Sequence, residues 1–462
     1  MKKGLSFIFM VLATLVTSIL LGLSTREVVA VTVFLGFIYS TLLFWRFRLA
    51  FALLGITILL ALGLINIPTL IEFAGIDIIL FLMGMMIIIG FLEERHFFEY
   101  IIDKIVEMVG PRGYMLVTVM MILSALFAAL VDEVTSILFM AATMIHLAVK
   151  LKLNPIPFVI MLIFSTNVGS SATVVGNPVG VMIALRGGLT FMDFLRWATP
   201  VSILALAIVI PLSIYYFSGD IRRLDERLKL EVKEGKEKTG ERGVASGKGL
   251  LISAILFLGT ITSLILHSFI EEILHLGKNT MLIGTALGAA SIALLIEHKK
   301  AKELVERRVD WWTLAFFMML FASVGTLSYV GVTGRIAGAM LSLNIDGVFG
   351  LLMIFTCVAG VLSAFMDNVL AVATLIPVVI GLGNLGVYTF PFWWATLFSS
   401  TFFGNLTIIG STANIVAIGM IESRKLGNIT MGQWIKPGLL VSVSSLLLAF
   451  LLLYLQYPLM PR

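Results

Sequence analysis

Asp132 and Glu133 stand side by side in FAALVDEVT, 127 to 135, inside a run from Tyr114 to Val149 that has no other Asp, Glu, Lys or Arg. A charged side chain at the centre of a bilayer costs about 2.5 to 3.5 kcal/mol by insertion scales, so acids kept there carry a function. Neighbouring carboxylates in a low-dielectric cavity can share a proton, or release it to a cation that takes its place. LSAFMDNVLA, 362 to 371, repeats the feature, with Asp367 and Asn368 breaking a second apolar run. Behind each acidic break comes a glycine-rich one, SSATVVGNPVG at 170 to 180 and GNLTIIGSTAN at 404 to 414. Proline and glycine weaken the helical ladder, so a helix here should unwind, and unwound backbone at membrane depth survives only inside protein or against a wet cavity. The released carbonyls and the Ser, Thr and Asn oxygens suit a hard cation, while half-helix N-termini suit an anion. A plain kink is the bland alternative.

Composition says what positions these motifs. The 462 residues are 59% hydrophobic and 13% charged, where a soluble protein carries about 25% charge. Most apolar runs are long enough as helices to cross a hydrocarbon core of about 30 Å, and no ten-residue strand alternation appears. Met1 to Leu23, opened by Lys2 and Lys3, reads as a first transmembrane helix rather than a signal, having a long apolar run and no small-x-small site before Ser24. Further spans are expected at 27 to 45, 49 to 66 and 77 to 92, followed by an amphipathic interfacial helix in EERHFFEYIIDKIVEMVGPRG, 93 to 113. Trp197 to Phe217 spans again, and the mixed-charge stretch 218 to 248 reads as a solvated loop. The second half repeats the order, with spans at 249 to 267, 280 to 297, 311 to 328 and 438 to 456.

Loop charge orients these spans. If Lys2 and Lys3 are cytoplasmic, the basic stretches at 46 to 48, 95 to 112, 150 to 152, 218 to 248, 298 to 308 and 422 to 427 should be cytoplasmic too. That holds only if 113 to 149 and 347 to 386 each enter and leave on one side, as two hairpins from opposite faces. Thr173 follows Asp132 by 41 positions and Thr407 follows Asp367 by 40, so the two units form an inverted repeat, a transporter signature. The expected fold is an all-α polytopic membrane protein of about eleven transmembrane helices plus two oppositely oriented helical hairpins, with two discontinuous helices. Its parts are an extra N-terminal helix at 1–26, a first repeat at 27–217, a cytoplasmic charged linker at 218–248 and a second repeat at 249–462.

Other patterns weigh less. Cys357, the single cysteine, reads as a small packing residue, and the five histidines are never at ligand spacing. Asp77 and Asp310 head corresponding spans as N-terminal caps. Glu93, Glu94 and His96 read as a helix-end charge cluster, with a proton relay as the alternative. Arg186 and Arg335 read as snorkelling interface residues that an anion would otherwise use. GLGNLG, 381 to 386, follows an apolar helix instead of opening a βαβ unit, so it is no nucleotide loop. The net charge of +5 follows from basic cytoplasmic loops and needs no nucleic acid.

ALVDEVTSILF followed by STNVGSSATVVGNP, and SAFMDNVLAVATLIP followed by FFGNLTIIGSTANIV, resemble the duplicated motifs of the ion transporter superfamily, in its branch of arsenite permeases, NhaD-type sodium/proton antiporters and the P protein. The resemblance covers roughly residues 50 to 455. It implies scaffold helices, two re-entrant hairpins and two discontinuous helices meeting at a central substrate site. It assigns the hairpin tips to Asp132, Glu133, Thr135, Asp367 and Asn368. It assigns the unwound helices to Asn167, Gly169, Ser171, Thr173, Gly176, Asn177, Gly404, Asn405, Thr407, Gly410, Ser411 and Asn414. The first tip departs from the usual Asp-Asn in having Asp132-Glu133, and Leu370 departs from the Asp-Asn-Val-Thr run of the second. The paired Ser-Asn-Thr tips of the sodium/dicarboxylate carriers are absent, which argues against citrate or succinate.

The expected function is secondary transport of a small ion in exchange for protons, with a cation such as sodium favoured because three carboxylates and no basic cluster stand at the breaks. Sodium would bind at Asp132, Asp367, Asn167 and Asn405, with H+ as the coupling ion. The alternative is an arsenite, antimonite or other anion transporter, carboxylates included; a channel or a non-transporting scaffold is more remote. No nucleophile and base pair suggests an enzyme, and no cofactor is expected. The expected partners are a small inorganic ion and the lipid bilayer, with a homodimer as the candidate assembly. The expected location is the plasma membrane, with the N-terminus cytoplasmic.

Overall fold

The computed structural model describes residues 2–233, 247–343 and 347–461, and it is all-helical, with no strand among the described residues. Ten of these helices are long and apolar enough to cross a membrane, and Ile156–Gly169, Pro178–Gly187, Thr280–Ile296 and Asn368–Asn384 are shorter apolar helices of the same bundle. The chain is an integral membrane protein.

Two halves run in the same element order. Ile76–Glu93 corresponds to Trp311–Tyr329, and the amphipathic Phe97–Val109 to Val332–Ser342. The hairpin Gly113–Leu130 with Glu133–Lys150 corresponds to Gly347–Phe365 with Asn368–Asn384. The broken helix Ile156–Gly169 with Pro178–Gly187 corresponds to Phe390–Phe403 with Thr412–Ser423. Each start lies 234 or 235 positions before its counterpart, as in 76 and 311, 133 and 368, or 178 and 412. Packing is reciprocal as well. Pro178–Gly187 lies on Asn368–Asn384 of the other half, and Thr412–Ser423 lies on Glu133–Lys150. Ile76–Glu93 packs on Thr280–Ile296 as Trp311–Tyr329 packs on Arg48–Ala61, and the closing helices Thr199–Tyr216 and Met431–Gln456 pack on each other. Exchanging the halves leaves this pattern unchanged, as a pseudo-two-fold repeat requires.

Local chemistry sets the breaks. Pro178 opens its helix at the first position, where a missing N–H costs nothing, and Asn177 caps that helix by accepting from Gly180 N at 2.8 Å. Asp132 and Asp367 cap the second arm of their hairpins, accepting from Val134 N at 2.7 Å and Val369 N at 3.0 Å. Each acid thereby turns the chain back.

Several expectations are corrected. Residues 218 to 248 are not one solvated loop: Ser218–Lys233 is a helix that buries Ile221 and Leu224 and whose Asp225 accepts from Gly113 N at 2.8 Å. Ile221, Leu224 and Leu228 make a helical apolar stripe that a count of charges hides. The remainder, 234–246, lies outside the described residues. The span expected at 49 to 66 ends at Ala61, before a short helix Ile67–Phe73 capped by Asn66. The final span starts earlier than expected, at Met431, and contains Pro437. Cys357 is exposed instead of packed. Asp310 caps its helix through Thr313 N at 3.0 Å, but the cap position before Ile76 is Gly75, at φ 64, and Asp77 instead pairs with Arg186 at 2.6 Å. Arg335 likewise pairs with Glu27 at 2.6 Å. At the end of Ile76–Glu93, Arg308 binds Glu93 at 2.8 Å and also Glu94, a charge cluster joining that helix to Ala301–Arg308.

Candidate functional site

All four interrupted elements meet at the carboxylate of Glu133. Asn368 Nδ2, from the opposite tip, donates to its two oxygens at 3.1 and 3.3 Å. Ser170 Oγ, on the first unwound segment, donates at 3.3 Å, and Ser411 Oγ, on the second, reaches it at 3.4 Å. Glu133 and Asn368 are each 1% exposed, and they are counterparts in the two repeats. Equivalent residues that touch lie on the pseudo-two-fold axis, so the axis passes between one carboxylate and one amide. Asn368 Oδ1 is buried and finds no hydrogen-bond partner among the described residues. A buried acceptor left unmade costs about 1 to 3 kcal/mol, so such an atom marks a place for a donor or a cation. The caps of both second half-helices, Asn177 and Ser411, also reach this centre, since Asn177 Nδ2 donates to Ser170 Oγ at 2.8 Å. The positive ends of two helix dipoles thereby favour negative charge there.

Asn167 ties the unwound segments together. Its Nδ2 donates to Asn405 Oδ1 at 2.7 Å and Asn414 Oδ1 at 2.9 Å, and its Oδ1 accepts from Ser411 Oγ at 3.1 Å. Thr173 and Thr407, again counterparts, each donate a hydroxyl hydrogen to their own hairpin, at Ala129 O and Ala364 O. Gly176 and Gly410 close the loops: a Cβ on Gly176 would stand 2.1 Å from Ser170 O, and one on Gly410 2.6 Å from Gly404 O. Gly169 meets the first hairpin in the same way, with 2.3 Å from such a Cβ to Ala125 O.

Sequence reasoning expected the released carbonyls to coordinate an ion, yet many are already engaged. Asn414 Nδ2 holds Gly404 O at 2.8 Å and Thr407 O at 2.9 Å, and Trp434 Nε1 holds Asn405 O at 2.9 Å. The Ser171 hydroxyl bonds back to Val168 O, and the single hydroxyl hydrogen of Ser170 is shared between Glu133 and Asn167 O, 3.0 Å away. Gly404 O, Asn405 O and Asn167 O each keep a second lone pair, so these hydrogen bonds fix their direction without removing them as ligands. Of the four residues expected to hold sodium, Asn167 and Asn405 meet directly, while Asp132 and Asp367 each turn one oxygen back on their own helix. Thr135 N also bonds Asp132, at 3.1 Å. Ser171 faces away from Glu133, towards Ser202 Oγ at 2.7 Å.

Four participants were missed. Ser170 and Thr412 lie within the glycine-rich motifs, and Thr412 donates to Asp367, but nothing in the motif says which hydroxyl turns inward. Trp434 opens the last helix, far along the chain from the carbonyl it binds. Arg48, expected in a basic loop, is 7% exposed, donates from Nη2 to Thr313 Oγ1 at 2.8 Å and lies over the Trp45 and Phe316 rings at 4.1 and 4.9 Å. Charge counting cannot tell a buried arginine from a loop one.

The comparisons agree with this architecture. The chain shares its fold with the YdaH transporter of Alcanivorax borkumensis, at a TM-score of 0.52 and 15% identity over 85% of this chain and 87% of that one. It is 31% identical over 396 residues to the uncharacterized transporter Rv2685 of Mycobacterium tuberculosis, covering 83% of this chain and 87% of that protein. It is 30% identical over 424 residues to the 46 kDa membrane protein of Mycobacterium leprae, covering 88% and 93%. The human P protein is 24% identical over 483 residues, 88% of this chain and 57% of its own length. A family model described as citrate transporter matches residues 39–398 and 345–461. With nearly the whole bundle matched and both repeats converging on one buried centre, the chain belongs to this citrate transporter family of the ion transporter superfamily.

Proposed function

We propose that this transporter exchanges a small cation, sodium first among them, for protons at Glu133. The observation that carries the reading is the buried Glu133 carboxylate facing an Asn368 Oδ1 without a partner among the described residues. Ionised, Glu133 accepts from the Asn368 amide hydrogens. Protonated, it becomes a donor, and a turn of the amide offers it Oδ1 as acceptor. A dehydrated cation needs that same carboxylate with hard oxygens around it, which Asn368 Oδ1, Ser170, Ser411 and Asn167 supply. One carboxylate cannot hold both, so arrival of either expels the other, and coupling follows from competition. The hairpins reach the carboxylate from both halves, which supports alternating access. Loop charge supports a cytoplasmic N-terminus, with the plasma membrane as the proposed location; a homodimer remains the assembly to test.

An anion, such as a carboxylate or arsenite, is the second reading. It is favoured by the two half-helix N-termini at the centre and by the family's description, and it would leave Glu133 as the proton site alone. Purified protein in liposomes containing a pH dye, exposed in turn to sodium, lithium, potassium, citrate, succinate and arsenite, separates the two. Sodium-driven proton movement in the wild type, abolished by Glu133→Gln, is the expected result. Movement driven by citrate or arsenite and by no alkali cation overturns it.

A further inference from the structure

The two halves match in element order but not in how they lean on their neighbours. Pro178–Gly187 and Asn368–Asn384 both run from the centre towards the side that loop charge makes the outer one, and they pack on Ile76–Glu93 and Trp311–Tyr329 respectively. Their counterparts, Thr412–Ser423 and Glu133–Lys150, run from the centre towards the basic cytoplasmic stretches. Neither has comparable packing on Trp311–Tyr329 or Ile76–Glu93 among the described residues. The bundle is therefore closed on its outer half and loose on its cytoplasmic half.

Two polar ties hold the outer contact. Arg186, in the last turn of Pro178–Gly187, donates from Nη1 and Nη2 to Asp77 Oδ2 and Oδ1 at 2.6 and 3.0 Å, a bidentate pair with the first turn of Ile76–Glu93. Asn279 Nδ2, from the turn before Thr280–Ile296, adds a bond to Ala184 O at 3.2 Å. Helix starts at 76 and 311, and at 178 and 412, make Trp312 the repeat equivalent of Asp77 and Met420 that of Arg186. Trp312 is 48% exposed, so nothing covers it as Arg186 covers Asp77.

Inverted repeats of one shape can exchange arrangements, and the exchanged form keeps the centre on the axis while opening to the other side. In that form Thr412–Ser423 closes on Trp311–Tyr329, bringing Met420 to Trp312, and Pro178–Gly187 leaves Ile76–Glu93, parting Arg186 from Asp77. We infer that the Asp77–Arg186 pair is a latch that holds the outer side shut, with Trp312 and Met420 as its apolar counterpart on the cytoplasmic side. Both charged side chains are about a third exposed, so water takes over either charge when the pair parts and the latch opens at little cost. The inference rests on the alternating access of the transport reading and not on which ion is moved.

Cross-linking of the full chain in lipid nanodiscs tests this with no substrate present. In a Cys357→Ser background, Trp312→Cys with Met420→Cys supplies a thiol pair that a short bifunctional reagent joins only when the two helices meet; mass spectrometry of the digested protein follows the intramolecular link. With Asp77 and Arg186 intact the link should form slowly. Asp77→Asn, Arg186→Gln and the double variant should each speed it several-fold and to the same extent, because all three remove one pair. Unchanged rates in variants that stay monodisperse, single effects that add in the double variant, or a link that forms in none of them overturns the inference. A wrong ion would leave these rates as they are, so failure of the ion-exchange reading is distinguishable from failure of the latch.

Discussion

Asp132 and Glu133, neighbours in sequence, take different work because a helix N-terminus points them apart. Asp132 accepts backbone N–H bonds from Val134 and Thr135, while Glu133 turns into the junction of the tips. Asparagine caps as well as aspartate, so Asp132→Asn should leave stability within about 0.5 kcal/mol of wild type, and Asp132→Ala should cost about 1 kcal/mol. Thermal unfolding in detergent checks this; equal losses would mean that the carboxylate charge, not the cap, holds the tip. Outside the membrane segments, the hydrogen bond from Arg308 holds the Glu94 carboxyl below the usual glutamate value. A depressed carboxyl contributes stability above its unfolded value and loses it as pH falls through the folded one. The unfolding gap between wild type and Glu94→Gln, at most about 1 kcal/mol for so exposed a pair, should therefore close below about pH 4.

At the scale of elements, the unwound segments are held by glycine packing more than by flexibility. Gly176→Ala would force its methyl against Ser170 O, and Gly410→Ala against Gly404 O. Both carbonyls belong to backbone that other groups already fix, so relief requires moving the loop. A loss of about 1 to 3 kcal/mol or more is expected for each, larger at Gly176, with transport lost as well. Gly419, with nothing within 4 Å of an added Cβ, is the control, and Gly419→Ala should be near neutral. Unfolding midpoints of the three variants decide it; a tolerated Gly176→Ala would show that the loop is pliable.

At the scale of the molecule, the repeat is symmetric in shape and asymmetric in charge. The axis passes between Glu133 and Asn368, so one carboxylate faces one amide. Glu133→Asn should abolish proton movement, and Asn368→Glu should disturb it by placing two acids together. The double variant Glu133→Asn with Asn368→Glu restores one acid and one amide on the same axis, and should recover proton-coupled transport that Glu133→Asn lacks. Failure of the well-folded double variant to recover any would mean that the flanking Ser170 and Ser411, not the pair alone, decide which side carries the acid.

The membrane class, the duplicated order and the positions of the breaks were legible in the sequence because they rest on local rules: long apolar runs, costly buried acids, proline and glycine in a helix. Asp367 and Asp132 could be named from their apolar surroundings alone. Which acid faces the centre could not, because that depends on the rotation of one helix and on Asn368, more than two hundred residues away. The same limit hid Arg48 behind the appearance of a basic loop and the 218–233 helix behind its charges. It also hid the engagement of the unwound carbonyls by Asn414 and Trp434. Hydrogen-bond partners between distant segments are chosen by packing, so only the tertiary structure decided that Glu133 stands where the two repeats meet.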